Sequence, residues 1–270
     1  MEDYTELLLP ANILVENGFI DLLNHTEFIT DEEFRSPELI GWLYQFYISE
    51  RKDEVFAKKG KFEADEIPAA TQIFTPNWIV KYMVQNTVGR IYLDNNPYTT
   101  LAYKEKWQYL VEPAEPTPAK AILHYNELTD LKVADLACGS GHILNECFDL
   151  LYDLYITEGY TRVEAITHIF QDNLTGIDLD PRAQQLSLFA LTLKACQREH
   201  SFADAHCLPR VLTMPKVPLP LPTDTRLAVE IDAANILLKD ADSLGSIMKF
   251  NLTPAAREWV ASLVAENEAA

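Results

Sequence analysis

The sequence predicts an α/β chain, a parallel sheet with its helices preceded by a helical amino-terminal region, and three stretches carry that prediction. Lys132 to His142 runs from an apolar strand through a glycine turn, and helical periodicity continues from Ile143 to Tyr155. Leu174 to Pro181 reads as a second short strand ending in two acids, with a helix following through Gln197. Asn12 to about Lys59 reads as helices. Short strands alternating with amphipathic helices are the pattern of strand–helix–strand units. At 270 residues and 48% hydrophobic content the chain can hold one large domain, or a domain with a helical extension. We divide it into a helical region at 1–65, a sheet domain at 66–250 and a carboxyl-terminal helix at 251–270.

In the first region, Ser36-Pro37-Glu38-Leu39 is a helix start, and Trp42, Tyr44, Phe46 and Tyr47 give that helix an aromatic face. At helical spacing such rings are expected to pack rather than to form a base-stacking platform. Arg51, Lys52, Lys58, Lys59 and Lys61 form a basic cluster diluted by Glu50, Asp53 and Glu54, an exposed helix end ahead of a flexible Gly60. Thr75 as cap and Pro76 at the first position predict a helix from Trp78 to about Leu93. Asp94 to Thr100 reads as a polar turn, and 111–118, with its three prolines, as a linker.

The glycine turn is the most informative element. Leu131 to Ala134 suits a central parallel strand, and Gly139 and Gly141 permit positive φ and close backbone approach where a side chain would collide with a ligand. The absence of a Lys-Ser/Thr ending makes it a poor phosphate cradle, and the glycine spacing is not that of the dinucleotide fingerprint. In the second strand, Asp180 followed by Pro181 is explained as a helix cap with proline at the first turn. Asp178 falls at the carboxyl end of a strand, where open α/β sheets bind ligands and a carboxylate can take both ribose hydroxyls. Strand alternation favours Asp178 over Asp180 for that role. Pro209 to Met214 is a candidate third strand, with Lys239 to Gly245 a competing position for the segment that follows it. Residues 214–222 form an extended proline-rich connection, and Pro254 to Ala270 reads as a helix.

Asp-Leu-Ala-Cys-Gly-Ser-Gly at 135–141 resembles the S-adenosylmethionine loop of Rossmann-like methyltransferases that modify adenine in DNA. Together with Gln-Ile-Phe-Thr-Pro at 72–76 and Gly-Ile-Asp-Leu-Asp-Pro at 176–181, it is similar to PglX-type adenine-specific DNA methyltransferases of bacterial phage-exclusion (BREX) systems, relatives of the fused restriction-modification enzymes. The match runs from about Phe34 to Gly245. The resemblance implies a Rossmann-like sheet, S-adenosylmethionine as cofactor, and methyl transfer to adenine N6 at an asymmetric DNA site. It implies that Asp135 orders the turn and faces the methionine amino group, that backbone groups of Ala137, Gly139 and Gly141 line the methionine, and that Phe74, Thr75 and Pro76 close over it. It also implies that Asp178 holds the ribose, Leu179 packs on the cofactor adenine and Asp242 takes its amino group, a plain acidic turn being the other reading of Asp242.

One departure is large. The family's catalytic Asp/Asn-Pro-Pro-Tyr/Phe loop, which follows its fourth strand, has no counterpart: Asn95-Asn96-Pro97-Tyr98 has a single proline and precedes the glycine turn. No catalytic residue is therefore assigned, and the chain alone is expected to bind cofactor and transfer nothing. DNA contacts are expected from sequence outside these residues, with other phage-defence subunits as further partners. A net charge of −19 agrees, because a phosphate-gripping surface should be basic. The acidity leaves two other readings, an inactive assembly module of the defence complex and an acidic DNA mimic.

Cys138, Cys147, Cys196 and Cys207 show no metal-like pairing and read as reduced thiols. His142 is expected to cap or pack at its helix start. No signal peptide or membrane-spanning run is apparent, and the expected compartment is the cytoplasm.

Overall fold

The computed structural model describes residues 13, 15–26, 29–34, 38–58, 60–63, 66–71, 75–204, 207–213, 218–241 and 248–268. Two compact units divide between Leu39 and Ile40. The first contains the short helices α1 (Phe19–His25) and α2 (Asp31–Phe34). Within it, Thr30 and Glu33 bond reciprocally: the Thr30 amide and hydroxyl donate to the Glu33 carboxylate, and the Glu33 amide donates to the Thr30 hydroxyl. The predicted start at Ser36 and Pro37 lies outside the described residues.

The second unit carries a parallel sheet in the order β1 (Val133–Asp135), β2 (Leu174–Asp178), β3 (Val211–Thr213). The crossover from β1 to β2 runs through α8 (His142–Thr157) and α9 (Arg162–His168), and that from β2 to β3 through α10 (Pro181–Arg198). Register pairs Val133 with Leu174 and Gly176 with Val211. Those residues share one face, and α8 and α10 pack on it. The opposite face carries Ala134, Thr175, Ile177 and Leu212, of which Ala134 and Leu212 are exposed. Parallel sheets are normally covered on both faces; among the described residues this one is covered on one.

β1 was expected at the centre of the sheet, and among the described residues it lies at an edge, with β2 in the middle. Hydropathy reports how apolar a strand is, whereas its place depends on which other strands are present to pair with it.

α8 organises the core: Leu144, Phe148, Leu151, Leu154 and Tyr155 are fully buried. It packs against β2 closely because position 176 is glycine, where a Cβ would come within 2.6 Å of a Leu144 methyl and 3.2 Å of Cys138 Sγ. Cys138 and Cys147 are buried thiols.

Ahead of the sheet come α3 (Glu38–Ala57), α4 (Ile67–Thr71), α5 (Asn77–Asn86), α6 (Val88–Asn95) and α7 (Leu101–Lys104). The single helix expected from Trp78 to Leu93 is two, broken at Thr87 with φ −113° and ψ −86°. Side chains tied to distant backbone explain the break. Asn86 Nδ2 donates to Tyr109 O at 2.7 Å and Asn86 Oδ1 accepts from Val111 N at 2.8 Å, while Gln85 Oε1 accepts from Tyr109 N at 2.9 Å. The helix starts at Asn77, so the cap falls on Pro76 and not on the Thr75 expected. Pro76, extended at ψ 139°, is the cap residue without a side-chain hydrogen bond, and its carbonyl accepts from Ile79 and Val80.

The aromatic face of α3 is a second correction. Trp42, Phe46 and Tyr47 are 55, 71 and 70% exposed, and only Tyr44 is part-buried. α3 buries a narrower stripe, Gly41, Ile48 and Val55, one residue per two turns, which leaves the flanking rings outside. At its end Lys58 is paired with the buried Glu66 rather than simply solvated. Asn95 to Tyr98 forms the helix end and turn expected, with Tyr98 fully in solvent.

After β3, α11 (Thr225–Lys239) packs against α12 (Pro254–Glu268). The proline-rich connection is pinned where Asn235 exchanges two hydrogen bonds with the Leu219 backbone, at 2.8 and 2.9 Å. Among the described residues no helix is long and apolar enough to cross a membrane.

Candidate cofactor site

The carboxyl ends of β1 and β2 meet at the glycine turn. Pairing between the strands continues past Asp135 into that turn: Cys138 N–H donates to Ile177 O at 3.0 Å, and Gly139 N–H donates to Asp178 Oδ2 at 2.8 Å. Gly139 and Gly141 hold φ of +53° and +86°, the left-handed region that glycine enters without strain. Gly141 caps α8, its carbonyl accepting from Asn145 N at 2.8 Å. Among the described residues, a Cβ on Gly139 would meet no protein atom within 4 Å, whereas one on Gly141 would run into Ser187 of α10. The turn therefore has one open side and one packed side.

Asp135 and Asp178 share the helix-covered side of the sheet. Asp135 Oδ1 accepts from Ala137 N at 3.2 Å. Burial raises the Asp135 carboxyl above its ordinary value against that bond, and the charge of Asp178 raises it further. Asp178 spans the turn and the next helix, because its Oδ1 accepts from Asp180 N at 2.8 Å while Oδ2 holds Gly139. Asp180 is 4% exposed and caps α10, accepting from Arg182 N at 2.9 Å and from the Tyr44 hydroxyl at 2.5 Å. Between these acids Leu179 points outward, 37% exposed.

The structure thus brings Asp135, Ala137, Gly139, Gly141, Asp178 and Leu179 to one end of the sheet. Ala137, Gly139 and Gly141 all spend their amides inside the protein, the last on Cys138 O, and the Gly141 carbonyl is taken by Asn145 N. Thr75 and Pro76 sit at the start of α5, which packs against α8. Phe74 and Asp242 lie outside the described residues. Among the described residues, the segment leading to Asp242 comes after the helix α11, and β3 ends at Thr213.

Sequence reasoning missed Ser187, buried against Gly141, and Tyr44. The signal for Ser187 was a small residue two turns into α10; Tyr44 carried none, since the sequence treats it as one ring of a packed face.

His142 opens α8, and burial lowers its pKa to about 4, helped by the charge of Lys194. It is neutral at pH 7. Its folded pKa lies below the unfolded value of about 6.5, so the unfolded chain binds the extra proton between those values. Stability from this group is complete above pH 6.5 and falls, by up to about 3 kcal/mol, as pH drops toward 4. Asp153 works in the opposite sense, raised to about 6 chiefly by burial. The expected result is that His142→Gln loses less stability than the unsubstituted chain between pH 7 and 4, measured by urea unfolding. Parallel curves would show that the ring is not held neutral.

No family model matches the chain. Three characterised proteins do. It is 46% identical over 203 residues to "Adenine-specific methyltransferase BrxX" of Escherichia coli O9:H4 (strain HS), 73% of this chain and 16% of that protein. It is 34% identical over 286 aligned positions to "Adenine-specific methyltransferase PglX" of Lacticaseibacillus casei (strain Zhang), 99% of this chain and 24% of that protein. To "Type II restriction enzyme and methyltransferase RM.Eco57I" of Escherichia coli it is 26% identical over 217 residues, 74% of this chain and 19% of that protein. The chain spans about a quarter or less of the length of each. Over the stretch it covers, with the glycine turn and the Asp178 strand inside it, the chain is similar to the proteins named as the adenine-specific methyltransferases PglX and BrxX.

Proposed function

We propose that this chain is the S-adenosylmethionine-binding part of a site-specific DNA adenine N6 methyltransferase of a phage-defence system, working in the cytoplasm. The observation that carries the reading is the turn at Gly139, open on one side and fastened on the other to Asp178 at the end of the neighbouring strand. The residues fit the cofactor. Asp135 and Asp178 offer carboxylate oxygens to an ammonium and to ribose hydroxyls, and the exposed Leu179 offers an apolar surface to a base. Phe74, Thr75 and Pro76 belong to the segment that closes over the methionine, and Asp242 is assigned to the adenine amino group. The sheet is read as the first part of a Rossmann-like domain, whose uncovered face and β1 edge other strands and helices of the family-length protein would complete.

Bound S-adenosylmethionine supplies an activated methyl group on its sulfonium. These residues hold and orient it, and His142, neutral and packed, takes no part as a base. The target adenine would be held out of the helix stack by a loop outside this chain, and DNA contacts would come from the same source.

Calorimetric titration with S-adenosylmethionine tests the reading. Saturable binding is expected, weakened about ten- to hundredfold by Asp178→Ala, the loss for hydrogen bonds to a charged group. If the intact chain shows no binding, the cofactor reading fails for this polypeptide and an assembly module takes its place.

A further inference from the structure

We infer that Tyr44, on a helix more than ninety residues ahead of the glycine turn, is a positioning residue for the cofactor site; this rests on the cofactor reading above. The Tyr44 hydroxyl donates to Asp180 Oδ2 at 2.5 Å across 136 residues of chain. Asp180 N–H in turn donates to Asp178 Oδ1, and Asp178 Oδ2 accepts from Gly139 N–H, both at 2.8 Å. Three hydrogen bonds in series therefore join α3 to the open side of the turn, and each lies in the part-buried range where exchange with water is restricted.

The bond from Tyr44 reaches Asp180 from a separate helix. The bonds of Asp180 to the Arg182 amide and guanidinium are two residues away along the same chain and cap α10 without fixing where the cap sits. Burial pushes the Asp180 carboxyl up, and the bonds from Tyr44 and Arg182 outweigh it, so the group stays ionised and the bond from Tyr44 is charge-assisted. Tyr44 also stacks on Tyr47, ring centroids 6.4 Å apart, which limits the swing of its ring. The consequence is that Asp178 presents its remaining lone pairs in a direction set partly by α3. Loss of the tyrosine hydroxyl frees the Asp178–Asp180 loop while leaving α10, its cap and the sheet in place.

The experiment uses the full chain as Tyr44→Phe, with Asp178→Ala as reference, and two readouts: calorimetry with S-adenosylmethionine and amide hydrogen exchange followed by NMR. Tyr44→Phe is expected to weaken binding about three- to tenfold, part of the worth of one charge-assisted hydrogen bond because the tyrosine acts through Asp180 and Asp178, and to speed exchange at Gly139 and Asp180 while leaving α8 core amides unchanged. Unchanged affinity with unchanged exchange at Gly139 overturns the inference. Faster exchange with unchanged affinity also overturns it, showing a structural link without a positioning role. Uniformly faster exchange, α8 included, would mean general destabilisation and overturns it too. If the unsubstituted chain does not bind S-adenosylmethionine, the cofactor reading falls and takes the positioning role with it. Binding that Asp178→Ala loses and Tyr44→Phe keeps removes Tyr44 alone.

Discussion

Gly141→Ala is expected to destabilise the chain by about 2–5 kcal/mol and to abolish S-adenosylmethionine binding. Two costs add. An L-residue at φ +86° pays about 1–2 kcal/mol for the left-handed conformation. The new methyl would also lie 3.1 Å from Ser187 Cβ and 3.3 Å from its Cα, and closer still to Oγ, an overpacking worth about 1–3 kcal/mol. Ser187 is fully buried on α10, and α10 packs against α8, β2 and β3, so neither side of the clash can yield cheaply. Relief must come from the turn, which carries Gly139 away from Asp178. Gly139→Ala is the contrast, because its Cβ enters open space and only the backbone strain at φ +53° remains, about 1–2 kcal/mol. Urea unfolding separates the two, and Ser187→Gly in the Gly141→Ala background should recover part of the steric loss and none of the strain. Equal losses at positions 139 and 141 would refute the packed-side, open-side description of the turn.

That asymmetry was half legible in the sequence. Two glycines one residue apart after a strand announce positive φ, and both have it, because the requirement is local. Which of them faces a ligand and which a helix depends on α10, some forty residues on, and no spacing rule reports it. The same division runs through the fold. The cap at Asp180 with Pro181, the helix from His142 and the strand at 211–213 follow from neighbouring residues and are present. The break at Thr87 depends on Asn86 and Gln85 reaching the backbone at Tyr109 and Val111, and the edge position of β1 on its neighbours in the sheet. The rings of α3 misled for a related reason: periodicity says which residues share a face, and only a neighbour decides whether that face is covered. Tyr44 is a ring of that face that bonds beyond its own helix, to Asp180.

The entry of the chain into β1 depends on one buried side chain, and removing it is the second large effect expected. Asn173, 1% exposed at the last residue before β2, donates from Nδ2 to Leu128 O at 2.7 Å and Leu131 O at 2.9 Å, and its Oδ1 accepts from the Tyr155 hydroxyl at 2.9 Å. It thereby ties the segment feeding β1 to the strand beside it and to the core helix α8. Asn173→Ala deletes all three bonds, each worth about 1 kcal/mol net, and strands the Tyr155 hydroxyl in the core at a further cost of about 1–3 kcal/mol. A loss of about 4–6 kcal/mol is expected by urea unfolding, a large share of the 5–15 kcal/mol typical of a domain. Adding Tyr155→Phe to Asn173→Ala should return about 1–2 kcal/mol, since it removes the orphaned hydroxyl. Asn173→Asp keeps the acceptor for Tyr155 while losing both donors, and should fall near Asn173→Ala, because a carboxylate there faces two carbonyl oxygens in a buried site. Because Leu131 lies two residues before the start of β1, binding of S-adenosylmethionine should weaken in the same order as stability. A loss under 1 kcal/mol for Asn173→Ala would mean that β1 is held in place by its pairing with β2 alone.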